Sequence, residues 1–122
     1  MVIDYLETFL AFSVNGAVRD TPFRPRTILS LTEGAKPGEC LLCVCHSTAR
    51  GTKRAIDEAI YDAGASNLAS VHKDFNEFGF AYDLAKLDRP LSAEQINDLV
   101  NRAISLTGEP TAVRSVRQIC IS

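Results

Sequence analysis

The chain has 122 residues, of which 46% are hydrophobic and 23% charged, and its formal net charge is −2. A chain of this length can bury a core without a metal or a disulfide, so we predict a single domain over residues 1–122. The slightly negative charge lacks the basic surface on which nucleic-acid binding depends, so we predict no nucleic-acid partner.

The N-terminal segment has acidic side chains within an apolar stretch, and no apolar run is long enough to cross a membrane. We therefore predict a cytoplasmic protein with no membrane partner. Three of the four cysteines, Cys40, Cys43 and Cys45, lie on one predicted strand, which favours reduced thiols in the core and no disulfide. Because side chains alternate along a strand, Cys45 and His46 point to opposite faces, and we predict no metal site and no cofactor.

Residues 2–14 have polar side chains at helical spacing, which predicts an N-terminal helix that ends at the pair Asn15 and Gly16. The alternative is a hairpin that turns at the same pair, between Phe9–Val14 and Ala17–Thr21. The two interpretations compete because Asn-Gly suits both the end of a helix and a type I′ turn.

The following segment connects this helix to the rest of the chain. Pro22 and Pro25 exclude a helix and predict an extended loop over residues 19–26. Thr27–Leu31 is predicted to be a short extra strand. Turn residues up to Gly38 then separate this N-terminal extension, residues 1–38, from the main unit, residues 39–122.

The main unit alternates between strand and helix periodicity. The order predicts an α+β fold of the ferredoxin-like split βαβ type (βαββαβ, residues 40–122), with a four-stranded antiparallel sheet and two helices on one face. The first and third strands are expected at the centre of the sheet and the other two at its edges. The predicted strands are Cys40–Cys45, Asn67–Lys73, Phe78–Lys86 and Ala112–Ile121; the predicted helices are Thr52–Ala63 and one opened by a capping box of Ser92 and Gln95.

One predicted strand has an aromatic row on a single face. Phe78, Phe80 and Tyr82 should point to the face that the two helices do not cover. An exposed apolar patch of this kind is unusual for a monomer, so we expect the N-terminal helix or a second subunit to cover it. We therefore predict a homo-oligomer.

The loop between the first strand and the first helix of the main unit is the leading candidate site. It combines hydroxyls, a glycine and cations at a helix N-terminus, where backbone N–H groups and the helix dipole favour an anion. The competing interpretation is an ordinary capped loop with solvated basic residues. The candidate ligand-binding residues of this loop are Ser47, Thr48, Arg50, Thr52 and Lys53.

Two histidines are the candidate catalytic residues. In the predicted topology His46 and His72 emerge at the same end of the sheet, with Lys73 and Arg114 nearby as further ligand-binding candidates. One strand lies between the histidines, so they should be roughly 10 Å apart, too far for a hydrogen bond but about the width of a small ligand. The competing interpretation is that both are solvated residues at strand ends.

Three functions follow as hypotheses. The first is a small cytoplasmic domain that binds an anionic metabolite, through its phosphate or carboxylate, at the first strand-to-helix loop. The second is a small-metabolite enzyme that uses His46 or His72 as general acid or base. The third is a homo-oligomeric structural or protein-interaction module.

Overall fold

The computed structural model describes the backbone of residues 2–9 and 25–121. Within these residues the chain forms five strands, three helices and a 3-10 turn over Asn76–Phe78. The strands are β1 (Val2–Phe9), β2 (Cys40–Ser47), β3 (Asn67–Phe75), β4 (Phe80–Leu87) and β5 (Val113–Ile121). The helices are α1 (Pro25–Thr32), α2 (Thr52–Asp62) and α3 (Ala93–Thr107).

All five strands belong to one sheet, in the order β1-β5-β2-β4-β3. Strand β1 runs parallel to β5, and the other three neighbouring pairs are antiparallel. The predicted α+β class with a four-stranded antiparallel sheet is therefore confirmed, and β2 and β4 lie at its centre as predicted. The prediction that the last strand forms an edge is wrong, because β1 pairs along the outer side of β5.

The N-terminal segment is not the predicted helix over residues 2–14, since Val2–Phe9 is a strand. A segment that is apolar around most of a helix is also suited to a sheet, and pairing with β5, from Ser115 to Ile121, provides hydrogen-bond partners for one side of its backbone. Residues 10–14, the Asn15-Gly16 turn and the alternative hairpin lie outside the described residues.

The predicted strand Thr27–Leu31 is wrong as well, because these residues lie in helix α1. The helix begins at Pro25, where the N–H that proline lacks would have no intrahelical partner in any case. The predicted extended loop is therefore wrong at its last two residues, and residues 19–24 lie outside the described part of the chain. Ile28 and Leu31, three residues apart, bury the apolar side of α1.

The sheet separates two hydrophobic cores. On one face, Leu42 and Val44 of β2 pack with α2 and α3, and we call this the α2–α3 face. On the other, Leu41 and Cys43 pack with α1, and we call this the α1 face. Every residue of β2 is buried, as its continuous apolar run predicts.

The ends of the elements follow local sequence signals. The predicted capping box is confirmed, with Gln95 N–H donating to Ser92 Oγ and Ser92 N–H donating to Gln95 Oε1.

In the part of the chain that is described, no helix combines the length and apolar character that a membrane span requires.

The aromatic row is only partly as predicted. Phe80 and Tyr82 lie on the α1 face and contact Phe75, whose ring centroid is 5.2 Å from that of Phe80. Phe78 precedes β4 in the 3-10 turn and is exposed. The homo-oligomer that this row suggested stays a prediction.

Cys40 and Cys120 form a disulfide, which makes the prediction of no disulfide wrong. The two residues are separated by 80 positions in sequence and lie directly opposite each other on β2 and β5. Only the register of the strands brings them together. Cys43 and Cys45 are free and buried, and burial, partly offset by Arg117, raises the pKa of Cys43 to about 12.

The disulfide leads to a stability prediction. Removing a native disulfide costs about 2–5 kcal/mol, with long loops towards the upper end, so the double variant Cys40→Ala/Cys120→Ala should lose about 4 kcal/mol of free energy of unfolding in urea. Dithiothreitol should lower the stability of the wild type by a similar amount and leave the variant unchanged. Four titratable thiols in the unfolded, unreduced wild type would contradict the assignment.

Candidate functional site

Three neighbouring strands bring their polar residues together on the α2–α3 face. His46 follows Leu42 and Val44 along one face of β2, beyond the apolar core. Asp83 lies on β4, next to Val44 on one side and opposite His72 of β3 on the other. Because β2, β4 and β3 are adjacent, the three polar side chains converge near the start of α2.

The Asp83 carboxylate lies between the two imidazoles. Its Oδ2 contacts His46 Nε2, and its Oδ1 is 2.6 Å from His72 Nδ1. His46 and Asp83 are 2% and 4% exposed, whereas the His72 side chain is 39% exposed. The histidines lie at one end of the sheet as predicted, but their ring centroids are only 6.0 Å apart and a carboxylate, not a ligand-sized gap, joins them.

Sequence reasoning missed Asp83. The signal that could have identified it is an acidic residue in the middle of an apolar strand, at a position that alternation assigns to the helix-covered face. Such a residue is almost never buried unless it is paired. A search for its partner on the neighbouring strands would have led to His46 and His72.

Each imidazole also has a second partner on its outer side. His46 Nδ1 is 2.9 Å from the carbonyl oxygen of Ser47, and His72 Nε2 is 2.7 Å from Asp74 Oδ1. Carbonyl and carboxylate oxygens only accept, so both of these ring nitrogens donate. The two contacts fix the orientation of both rings.

The charges of this cluster shift two pKa values. Burial alone would raise the pKa of Asp83, but hydrogen bonds from His46 and His72 and the charge of Lys53 outweigh it and hold the pKa at about 2. Burial disfavours the charged form of His72, but its hydrogen bonds to Asp83 and Asp74 raise its pKa overall. The Lys53 ammonium is 3.5 Å from Asp83 Oδ1.

The predicted strand-to-helix loop borders this cluster. Ser47 Oγ and Thr52 Oγ1 are 3.1 Å apart, and Thr52 Oγ1 donates to the Ala49 carbonyl, so these two buried hydroxyls hold the loop together. The Thr48 N–H donates to the carbonyl of Gly79 on the neighbouring connection. Gly51, the residue before α2, has a φ of 97°, a left-handed conformation that favours glycine.

A cleft of about 480 Å³ opens at the start of α2. Four predicted ligand-binding residues of the loop lie along it together with both histidines, and the fifth, Thr52, does not. The complete lining is His46, Ser47, Thr48, Ala49, Arg50, Gly51, Lys53, His72, Asp74 and Ala81. A second depression of about 550 Å³, between α2 and the start of β3, shares Lys53 but has no histidine in its lining.

The structure does not bring Lys73 and Arg114 to this cleft. Lys73 neighbours His72 on β3, and alternation turns it to the α1 face, where Val71 packs. The Arg114 guanidinium lies 4.5 Å from the ring centroid of Phe80 on that same face. Placing these residues at the correct end of the sheet is not sufficient, because the face on which each side chain lies also matters.

The position of Asp83 leads to a prediction about stability. Removing one partner of a buried ion pair costs about 3–5 kcal/mol, so Asp83→Ala should lower the free energy of unfolding in urea by about 3 kcal/mol. The matched control is Asp57→Ala, which removes an exposed carboxylate that pairs with Lys53. That variant should lose less than about 1 kcal/mol. Equal losses in the two variants would contradict the role assigned to Asp83.

Comparisons with known proteins identify no family. No protein-family model matches the chain, and no curated protein matches it. Among solved structures, the chain is similar to the uncharacterized protein TM1266 from Thermotoga maritima, with 16% sequence identity and a TM-score of 0.45. The alignment covers 70% of this chain and 98% of TM1266. A likeness at this level of identity says nothing about ligands or activity.

Proposed function

We propose that this protein binds a small anionic metabolite, through a phosphate or carboxylate group, in the cleft at the start of α2. The observation that carries the proposal is the convergence of Arg50, Lys53 and the partly exposed His72 on one cleft of about 480 Å³. A cavity of this size suits a small metabolite, and its cationic groups suit an anion.

The start of α2 adds backbone donors to these side chains. Gly51 precedes the helix, and no side chain caps it through a hydrogen bond. The Thr52 N–H already donates to the Ala49 carbonyl, so the N–H groups of Lys53 and Arg54 are the donors that this end of the helix offers. The helix dipole makes the same end positive. Anionic oxygens are the ligands that such a helix end binds.

The acidic residues around the cleft already have cationic or donor partners. Asp74 accepts from His72, and Asp57 pairs with Lys53. No ion pair within residues 25–121 involves Arg50, which is exposed on the loop. Arg50 is therefore the residue expected to form the strongest contact with the anion, because a guanidinium can bind phosphate or carboxylate through two hydrogen bonds.

Thermal unfolding with a panel of anions tests this proposal. Inorganic phosphate, pyrophosphate, succinate and citrate are compared with sodium chloride at equal ionic strength. An anion present at 100 times its dissociation constant should stabilise the protein by about 2.7 kcal/mol. Arg50→Gln should lose most of this stabilisation and Lys53→Gln part of it.

The matched control is Lys73→Gln, which removes a cation from the same region but from the α1 face. This variant should keep the full stabilisation. If no anion of the panel stabilises the wild type more than sodium chloride does, or if Lys73→Gln loses as much as Arg50→Gln, the proposal is wrong.

A second candidate function is proton transfer by His72 on the bound molecule. The contacts of His72 with Asp83 and Asp74 favour it, since carboxylates orient an imidazole and stabilise its charged form. The buried His46 has both ring nitrogens engaged, so it acts in this scheme as a positioning residue.

The proton-transfer hypothesis has its own experiment. The better-stabilising of the two carboxylates, succinate or citrate, is incubated with the protein in D2O and followed by NMR. Wild type should exchange a carbon-bound proton of the ligand or convert the ligand. His72→Gln should still bind the anion but lack this activity. If the wild type leaves the ligand unchanged, this second function is excluded for that molecule.

We also infer that residues 40–122 belong to the ferredoxin-like split βαβ class, which the strand order β5-β2-β4-β3 and the two helices on one face support. Many functions occur on this superfold, so the class adds no argument for a ligand. The cytoplasmic location and the homo-oligomer stay predictions.

A further inference from the structure

We propose that His46, His72 and Asp83 form a binding site for one divalent transition-metal ion of the Zn²⁺ type. One ligand atom from each residue lies within 4.8 Å of the others. The three residues lie on adjacent strands of a sheet, which hold their backbones in a rigid arrangement. The prediction of no metal site considered the cysteines with His46, whereas His46 with His72 and Asp83 is a different set of ligands.

The hydrogen bonds on the outer side of each ring point to a cation between them. His46 Nδ1 donates to the Ser47 carbonyl, so in the neutral imidazole Nε2 has a lone pair directed at Asp83. His72 Nε2 donates to Asp74, so in the neutral imidazole its Nδ1 has a lone pair directed at the same carboxylate. Each of these two nitrogens therefore needs a proton or a metal ion between it and Asp83.

Two arrangements meet this need. In the two-imidazolium arrangement both nitrogens carry a proton, and in the metal-bound arrangement one ion takes the place of both protons and binds one carboxylate oxygen. Metal–ligand bonds of about 2.0–2.2 Å need more room than the 2.6 Å between His72 Nδ1 and Asp83 Oδ1, so these side chains move slightly apart when the ion binds. We infer the metal-bound arrangement from the surroundings of the three residues.

The surroundings also agree with a metal centre. In metal sites a ligating histidine donates its other ring N–H to a carboxylate or a backbone carbonyl, as His72 does to Asp74 and His46 to Ser47. Two imidazole nitrogens and one carboxylate suit zinc and similar ions, whereas magnesium and calcium prefer oxygen ligands. His46 and His72 line the cleft, so a fourth position is open to water or to an anion.

Lys53 is the competing cation in this site. Its ammonium is 3.5 Å from Asp83 Oδ1 and 3.1 Å from Asp57 Oδ1. The Lys53 side chain is half-exposed, so it can leave Asp83 and keep its contact with Asp57 when a metal binds. The carboxylates of Asp83 and Asp74 then balance the charge of the ion.

The experiment uses the full chain without an affinity tag, after treatment with a chelator. Zn²⁺ is titrated by calorimetry and Co²⁺ by absorption spectroscopy. We expect one ion per chain and a cobalt spectrum of nitrogen and oxygen ligands, without the charge-transfer band that a thiolate of Cys43 or Cys45 would add.

Three variants test the assigned ligands. Asp74→Ala, which removes only an outer partner, should weaken binding by about 10- to 100-fold. His72→Ala and Asp83→Asn should weaken it more than that, since they remove ligands. His72 is partly exposed, so His72→Ala is expected to fold. If Asp83→Asn does not fold, the zinc affinity of His72→Ala decides the test.

Two controls keep all three ligands and the contact of Lys53 with Asp57. Glu58→Gln removes an exposed carboxylate of α2 that pairs with Arg54, and Lys73→Gln changes a neighbour of His72 on the α1 face. Both should bind zinc as tightly as the wild type. Unchanged binding in His72→Ala, or a thiolate band in the cobalt spectrum, would overturn the proposal.

The chain has 2 histidines, so nitrogen NMR of the metal-free wild type reports the state of both imidazole rings directly. On addition of zinc, the signals of both rings should change together, and the change should be complete at one ion per chain. Rings that stay doubly protonated, in a protein that binds neither zinc nor cobalt, would establish the two-imidazolium arrangement and exclude the metal centre.

Discussion

The burial of the Asp83 carboxylate between two imidazoles is the constraint on which the polar end of this sheet depends. An isolated carboxylate in this position would cost several kcal/mol, so it must have partners. Those partners come from β2 on one side and β3 on the other, because β4 lies between these strands. Asp83 can therefore contact both imidazoles only when β2, β4 and β3 pair in the register observed here.

The same constraint explains why the cleft lies where it does. Along β2 the α2–α3 face is apolar from Leu42 to Val44 and becomes polar at His46, where the strand ends and the loop to α2 begins. The hydroxyls of Ser47 and Thr52 hold that loop, which leaves Arg50 at its exposed tip. Residues of the core and of the site thus occupy successive positions on one face of β2.

The candidate site could be predicted in part. His46, His72 and the loop were identified because strand direction places them at one end of the sheet, and that depends only on the order of the elements. Asp83 was missed, since nothing in its own segment shows that two histidines on other strands reach it. Lys73 and Arg114 were assigned to the correct end of the sheet, but their side chains lie on the other face.

Local sequence patterns alone determined the order and type of the elements after residue 39, the capping box at Ser92, and the buried central strand β2. These features depend on residues a few positions apart, whose spacing is visible in the sequence. Only the tertiary structure decided that residues 2–9 form a strand beside β5, that residues 25–32 form a helix, and that Cys40 joins Cys120. Strand pairing joins segments far apart along the chain, and an apolar segment without clear periodicity takes its conformation from the surface that it covers.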